Sequence, residues 1–192
     1  MNQNDSFFNF RSELLDNPDV VGRVASALIK GEFYDQAGEL YERVNQEDQA
    51  LECYRKGNAY GRAVELARRA YPSEVVVLEE EWGDHLVDNK QLDAAINHYI
   101  EAGRTLKALE AAINAKQWKK AMQIIQVIDD DSGDLNKYFF QLGQHLASVR
   151  EYKAAESFYL QGNMHKQAIG NYKLFDRYHF ILTKIIYILY QN

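Results

Sequence analysis

Cysteine occurs once in this chain, at Cys53, and proline only twice, at Pro18 and Pro72. A lone cysteine excludes an intramolecular disulfide framework and fits a reducing compartment. Its neighbours Glu52 and Tyr54 give no reason for a lowered thiol pKa, so Cys53 reads as a half-buried helix position rather than a nucleophile. Neither proline falls inside a periodic segment, which leaves long stretches free to be helical. Clustered positive charge is also missing. No Lys/Arg run exceeds two residues and the formal net charge is −6, so the basic face needed for nucleic acid is absent. The same balance disfavours attraction to anionic lipid. No apolar run is long enough to cross a bilayer: the most apolar stretch, 178–190, carries Lys184 and falls short of the roughly 20 residues required. The opening residues Asn2, Gln3, Asn4, Asp5 and Ser6 lack the basic and apolar regions of a signal peptide. No strand-like alternation between hairpin turns is present.

What is present is an internal repeat. Residues 82–103 align without a gap on 142–163 at an offset of 60, with Gly83, His85, Leu86, Ala94, Ala95 and Tyr99 recurring as Gly143, His145, Leu146, Ala154, Ala155 and Tyr159. A finer beat of thirteen residues runs through Ala37, Ala50 and Ala63, again through Ala95, Ala108 and Ala121, and from Ala155 to Ala168. Tyrosines follow four residues later at Tyr41, Tyr54, Tyr99, Tyr159 and Tyr172. Positions i and i+4 share a helix face, so each pair sets a small residue that permits close backbone approach beside a ring that fills the adjoining groove. Thirteen residues suffice for a helix of about three turns and a tight turn. The pattern predicts an all-α fold, a right-handed α-solenoid of helix hairpins in which each unit buries its apolar face against its neighbours.

Twelve helices are expected, near 20–30, 33–44, 47–56, 60–70, 74–89, 92–102, 105–115, 118–128, 135–149, 152–161, 164–174 and 177–190. Gly31, Gly57, Gly103 and Gly162 close apolar-periodic runs, where glycine can take the left-handed conformation that ends a helix. Gly83 and Gly143 lie inside helical patterns, at a cost of roughly 1 kcal/mol relative to alanine, which close helix packing compensates. Ser73 is the expected N-cap of the helix after Pro72, and 129–134 is the clearest loop. The organisation expected is an N-terminal extension over 1–19, a solenoid over 20–175 and a divergent apolar helix over 176–192. The composition of that last segment (Ile, Tyr, Leu, Phe, Lys and Asn) is what AT-rich codons specify and reads as truncation-derived; a transcript read across residue 170 tests this.

No motif for chemistry survives inspection, and no catalytic, cofactor or metal residues are assigned. His85 and His145 are repeat-equivalent, which favours packing or a helix-surface hydrogen bond over metal ligation. Glu81 and His85 are spaced i, i+4, yet no second pair completes a metal site, and a surface ion pair is the expectation. The acidic run Asp129, Asp130, Asp131 and Asp134 fails as a calcium loop, because position 6 is Asp134 and position 12 is Phe140 rather than glycine and glutamate. Glu79, Glu80 and Glu81 read as a solvated helix face, with an acidic docking patch as the alternative.

Residues 55–127 resemble a stretch of the largest-subunit family of the intraflagellar-transport B complex. The likeness is carried by KGNAYGRAVELARR at 56–69, by 72–79, by WGDHLV at 82–87, by KQLDAAINHYIEA at 90–102 and by QWKKAM at 117–122. It extends more weakly over 20–170 and stops near Gly170. This resemblance implies a piece of a TPR-like α-solenoid, from a family in which a pair of WD-repeat propellers precedes the solenoid. It also implies a non-catalytic scaffold at the cilium and ciliary base, with other intraflagellar-transport subunits as partners. Two other readings stay open. One is a TPR-type adaptor holding a peptide carboxylate, for which Asn58, Arg62, Asn97, Arg104 and Lys107 supply candidate donors. The other is a coat-like membrane-trafficking scaffold, argued from architecture alone.

Overall fold

The computed structural model describes residues 17–128, 135–171 and 173, and among them there is no strand. Ten α-helices follow one another: α1 (Pro18–Lys30), α2 (Tyr34–Arg43), α3 (Glu47–Lys56), α4 (Tyr60–Ala70), α5 (Val75–Asp88), α6 (Leu92–Glu101), α7 (Thr105–Asn114), α8 (Trp118–Ile125), α9 (Asn136–Ser148) and α10 (Tyr152–Gln161). A 3₁₀ turn, Pro72–Glu74, precedes α5. These match ten of the expected helices to within three residues, and 165–171 are helical where the eleventh was expected. The twelfth, the N-terminal extension, Tyr172 and the acidic run from Asp129 to Asp134 lie outside the described residues.

The chain divides into two compact units, Met1–Ala111 and Ala112–Asn192, with the division falling inside α7. In the first unit each helix from α1 to α6 packs on the next, most extensively α2 on α3 and α5 on α6. In the second, α8 packs on α9 and α9 on α10. This succession of helix hairpins is the α-solenoid that the repeat predicts.

The thirteen-residue alanine beat marks the tightest contacts. Ala37, Ala50, Ala63, Ala95, Ala108, Ala121 and Ala155 are completely buried, and Ala168 nearly so. Around them in the first unit Leu51, Tyr54, Val64, Leu66, Ala67 and Leu78 form a continuous apolar core.

Eight of the helix ends share one kind of turn, whereas α4 runs into the 3₁₀ turn Pro72–Glu74. At the end of α1, the Glu32 N–H donates to the Ile29 carbonyl (3.0 Å) and the Phe33 N–H to that of Leu28 (2.9 Å). This pair of bonds defines a Schellman turn, which satisfies carbonyls that the helix end leaves open. The same two bonds recur after α2, α3, α5, α6, α7, α9 and α10. The residue that takes the left-handed conformation is glycine only at Gly103; elsewhere it is Glu32, Asn45, Asn58, Lys90, Lys116, Arg150 or Asn163. The expectation for Gly31, Gly57 and Gly162 is therefore corrected. Their φ angles are −85°, −82° and −83°, and the left-handed residue comes one position later. Space is what Gly57 and Gly162 supply, since a Cβ would come within 2.7 Å of Tyr34 Cβ and 2.9 Å of Phe139 Cβ respectively.

Left-handed backbone costs a non-glycine residue roughly 1–2 kcal/mol. Lys90→Gly and Lys116→Gly are accordingly expected to raise stability by about 1 kcal/mol each, and Gly103→Ala to lower it by about as much. Urea midpoints of the three variants check the signs.

Two further expectations change. Ser73 is inside the 3₁₀ turn, and α5 opens at Val75 with no side-chain cap. The first helix begins two residues early, at Pro18, where the side chain of Asn17 accepts from the Asp19 N–H at 3.1 Å. Proline suits this first helical position because no intrahelical partner awaits its missing N–H.

Candidate interaction surface

Three consecutive glutamates on α5 organise the polar surface of the first unit. Successive helix residues point about 100° apart, so Glu79, Glu80 and Glu81 cannot share one face. Glu79 is buried, 3% exposed. It receives His98 Nδ1 of α6 at 2.8 Å and Arg68 Nη2 of α4 at 3.3 Å. Glu80 turns toward Arg104 (2.6 Å) and Lys107 (2.8 Å) at the start of α7, and these cations hold its carboxyl below the usual range. Glu81 pairs with Arg55 of α3. The solvated face and the acidic patch expected here are both corrected: each carboxylate meets the cation of a different neighbouring helix.

A parallel set of pairs joins α4 to α2. Arg62 reaches Asp35 at 3.4 Å and also pairs with Glu39, and Arg69 pairs with Glu42. Hydrogen bonding to Arg62 depresses the Glu39 carboxyl. Most of these pairs are half exposed, so each contributes at most about 1 kcal/mol. Their value lies in fixing which helix faces which.

The peptide-clamp candidates are not brought together. Arg62 lines a groove of about 690 Å³ in which Glu39, Glu42 and Glu65 balance Arg43, Arg62 and Arg69. Asn58 occupies a left-handed turn. Arg104 and Lys107 are held by Glu80. Asn97 lines a separate groove beside Trp82 and His98.

The repeat-equivalent histidines lie against aromatic rings. His145 lies 4.3 Å from the Trp118 ring at 11°, and His85 is tilted 5.4 Å from Tyr60. His85 Nε2 also meets Asn89 Nδ2 at 2.9 Å, so the expected Glu81–His85 ion pair is replaced by Glu81–Arg55 and His85–Asn89. No group of three or more His, Cys, Asp or Glu side chains is placed to hold a metal among the described residues. Cys53 is buried, 4% exposed, and burial raises its thiol pKa.

Gly83 faces the Tyr99 ring, where a Cβ would come within 2.7 Å, and Gly143 faces Tyr159 at the same distance. Sequence inspection missed the third member, Gly38 against Tyr54 at 2.5 Å. Its signal was available, because glycine precedes tyrosine by sixteen residues in all three pairs. The Tyr54 hydroxyl donates to Glu42 Oε2 (2.9 Å) and that of Tyr99 to Asp84 Oδ1 (2.7 Å). Burial, followed by that hydrogen bond, pushes the Tyr54 phenol up to about 12. A raised folded-state pKa contributes stability below the unfolded value of about 10 and loses it as pH rises toward the folded one. The chain is therefore expected to lose thermal stability between about pH 10 and 12, and Tyr54→Phe to flatten that decline; melting curves across the range check it.

No family model matches the chain. Relatives do. It is 55% identical over 162 residues to the intraflagellar transport protein 172 homologs of Danio rerio and of Homo sapiens, covering 84% of this chain. The intraflagellar transport protein osm-1 of Caenorhabditis elegans is 39% identical over 164 residues, or 85% of the chain. The chain is homologous to one segment of the intraflagellar transport protein 172 family. It spans about 9% of the length of these relatives. No helix among the described residues is long and apolar enough to cross a membrane.

Proposed function

We propose that the chain acts as a non-catalytic protein-interaction scaffold in intraflagellar transport, serving cilium assembly and cargo movement at the cilium and ciliary base. The observation that carries this reading is the match over more than four fifths of the chain to proteins named for that transport. The architecture supports it. In the first unit, ion pairs from α5 to its neighbours register the helices against one another. The other subunits of the transport complex are the proposed partners, with residues 20–175 as the interacting region. The peptide-carboxylate adaptor is less favoured, because Arg62, Arg104 and Lys107 already face carboxylates of their own chain.

The test is expression of the tagged chain in ciliated cells, followed by affinity capture. Recovery of other intraflagellar-transport subunits, and ciliary enrichment of the tag, is the expected result. Capture of none, from cells in which the endogenous complex is intact, contradicts the proposal.

A further inference from the structure

Carboxylates at the helix contacts of the first unit are neutralised within the chain: Glu39, Glu42, Glu79, Glu80, Glu81 and Asp84 each face a cation. Not every groove follows this rule: Asp48 and Glu74 line one without an ion-pair partner, and a second groove sets such carboxylates over an aromatic bed. It lies among α4, α5 and α6, holds about 500 Å³, and is lined by Gly61, Val64, Glu65, Arg68, Glu79, Trp82, Asn97, His98 and Glu101. Its floor is apolar, with Val64 buried and Trp82 half-buried. Gly61 adds no side chain above the Trp82 ring, whose Cη2 would be 3.6 Å from a Cβ there. Arg68 is the one guanidinium in the lining and sits on Glu79. Glu65 on the α4 wall and Glu101 on the α6 wall are exposed, and neither carboxylate has an ion-pair partner in the described chain. Three carboxylates, Glu65, Glu79 and Glu101, against the one guanidinium of Arg68 leave this lining with an excess of acids over an apolar bed, while Glu65 also borders the groove that holds Arg43, Arg62 and Arg69.

We infer that this groove receives an arginine or lysine side chain from a partner protein. A long basic side chain suits it in both halves: the methylene stem covers Val64 and the Trp82 edge, and the charged end sits between Glu65 and Glu101. An acidic or purely apolar side chain leaves those carboxylates facing like charge or losing water without recompense. The inference rests on the scaffold reading and specifies the chemistry of one contact.

The experiment uses the full chain, isotopically labelled, titrated with acetyl-Gly-Arg-Gly-amide and its lysine, citrulline and glutamate analogues. The indole N–H resonance of Trp82 is the readout, and that of Trp118 in the second unit is the internal control. The arginine and lysine peptides are expected to move the Trp82 signal saturably and with salt sensitivity, and the citrulline and glutamate peptides to leave it in place. Glu65→Gln and Glu101→Gln each weaken the apparent affinity about three-fold, and the pair about ten-fold. Glu65→Lys with Glu101→Lys reverses the preference toward the glutamate peptide. A Trp82 signal that is unmoved by cationic peptides, or moved equally by citrulline, overturns the inference, and this comparison needs no variant. Affinity capture separates the two readings. If E65Q/E101Q recovers transport subunits as well as the original chain does, the groove inference fails and the scaffold stands. If neither form recovers any while arginine still moves Trp82, the scaffold reading fails instead.

Discussion

Tyr99→Ala is expected to lower the stability of the folded chain by about 3–5 kcal/mol, the range for removing a large buried ring. The ring is 4% exposed, lies against the bare backbone of Gly83, and donates its hydroxyl to Asp84. What distinguishes this account from a generic core mutation is its effect on Gly83. In the original chain Gly83→Ala puts a Cβ within 2.7 Å of the ring. The overpacking costs roughly 1–3 kcal/mol, which outweighs the gain of about 1 kcal/mol in helix propensity. With Tyr99 already cut back to alanine, the ring is gone and only the propensity gain remains. The same Gly83→Ala step is then expected to stabilise by about 1 kcal/mol. A sign reversal of this kind is a direct coupling between the two positions. Urea unfolding of the four proteins in the cycle measures it, and equal effects of Gly83→Ala in both backgrounds would rule out the close approach as the reason for the glycine.

The second large effect concerns the alanine beat. Ala95 is completely buried on α6, a helix that packs extensively on α5. Ala95→Leu is expected to cost about 3 kcal/mol, because close-packed interiors yield only by shifting backbone or forcing side chains off their rotamers. Ala94, its exposed neighbour one step round the helix, is the control. Ala94→Leu is expected to change stability by less than about 0.5 kcal/mol. Both are read from chemical denaturation; similar losses at the two sites would show that the beat does not report helix contacts.

These contrasts explain what was legible beforehand. The alanine and tyrosine periodicities reflect short-range geometry that repeats with the chain, so they announced the helices, their length and their buried faces. Gly38 escaped notice because its pairing with Tyr54 has no 60-residue echo, although it obeys the same sixteen-residue spacing as Gly83 and Gly143. The turn glycines misled for a different reason. Each of the eight Schellman turns has a left-handed residue, but Gly31, Gly57 and Gly162 sit one place before it, where glycine supplies room rather than conformation. The glutamate run was misread because a string of like charges suggests a common face, whereas helix geometry spreads 79–81 toward four different helices. Their partners Arg55, Arg68, His98, Arg104 and Lys107 are distant in sequence, Arg55 by 26 residues, and no local pattern announces such pairs. The candidate groove was illegible in the same way, since it depends on which carboxylates the tertiary arrangement leaves unpaired.

The central claim is that this succession of helix hairpins is a docking segment within intraflagellar transport. Crosslinking with mass spectrometry, applied to the tagged chain in ciliary extract, tests it most directly because it names partner and face together. The account predicts crosslinks from the described hairpins, concentrated on Lys90, Lys107 and the carboxylates of α4–α7, to other intraflagellar-transport subunits. Crosslinks confined to proteins outside that machinery, while its own subunits crosslink normally to one another in the same extract, would contradict it.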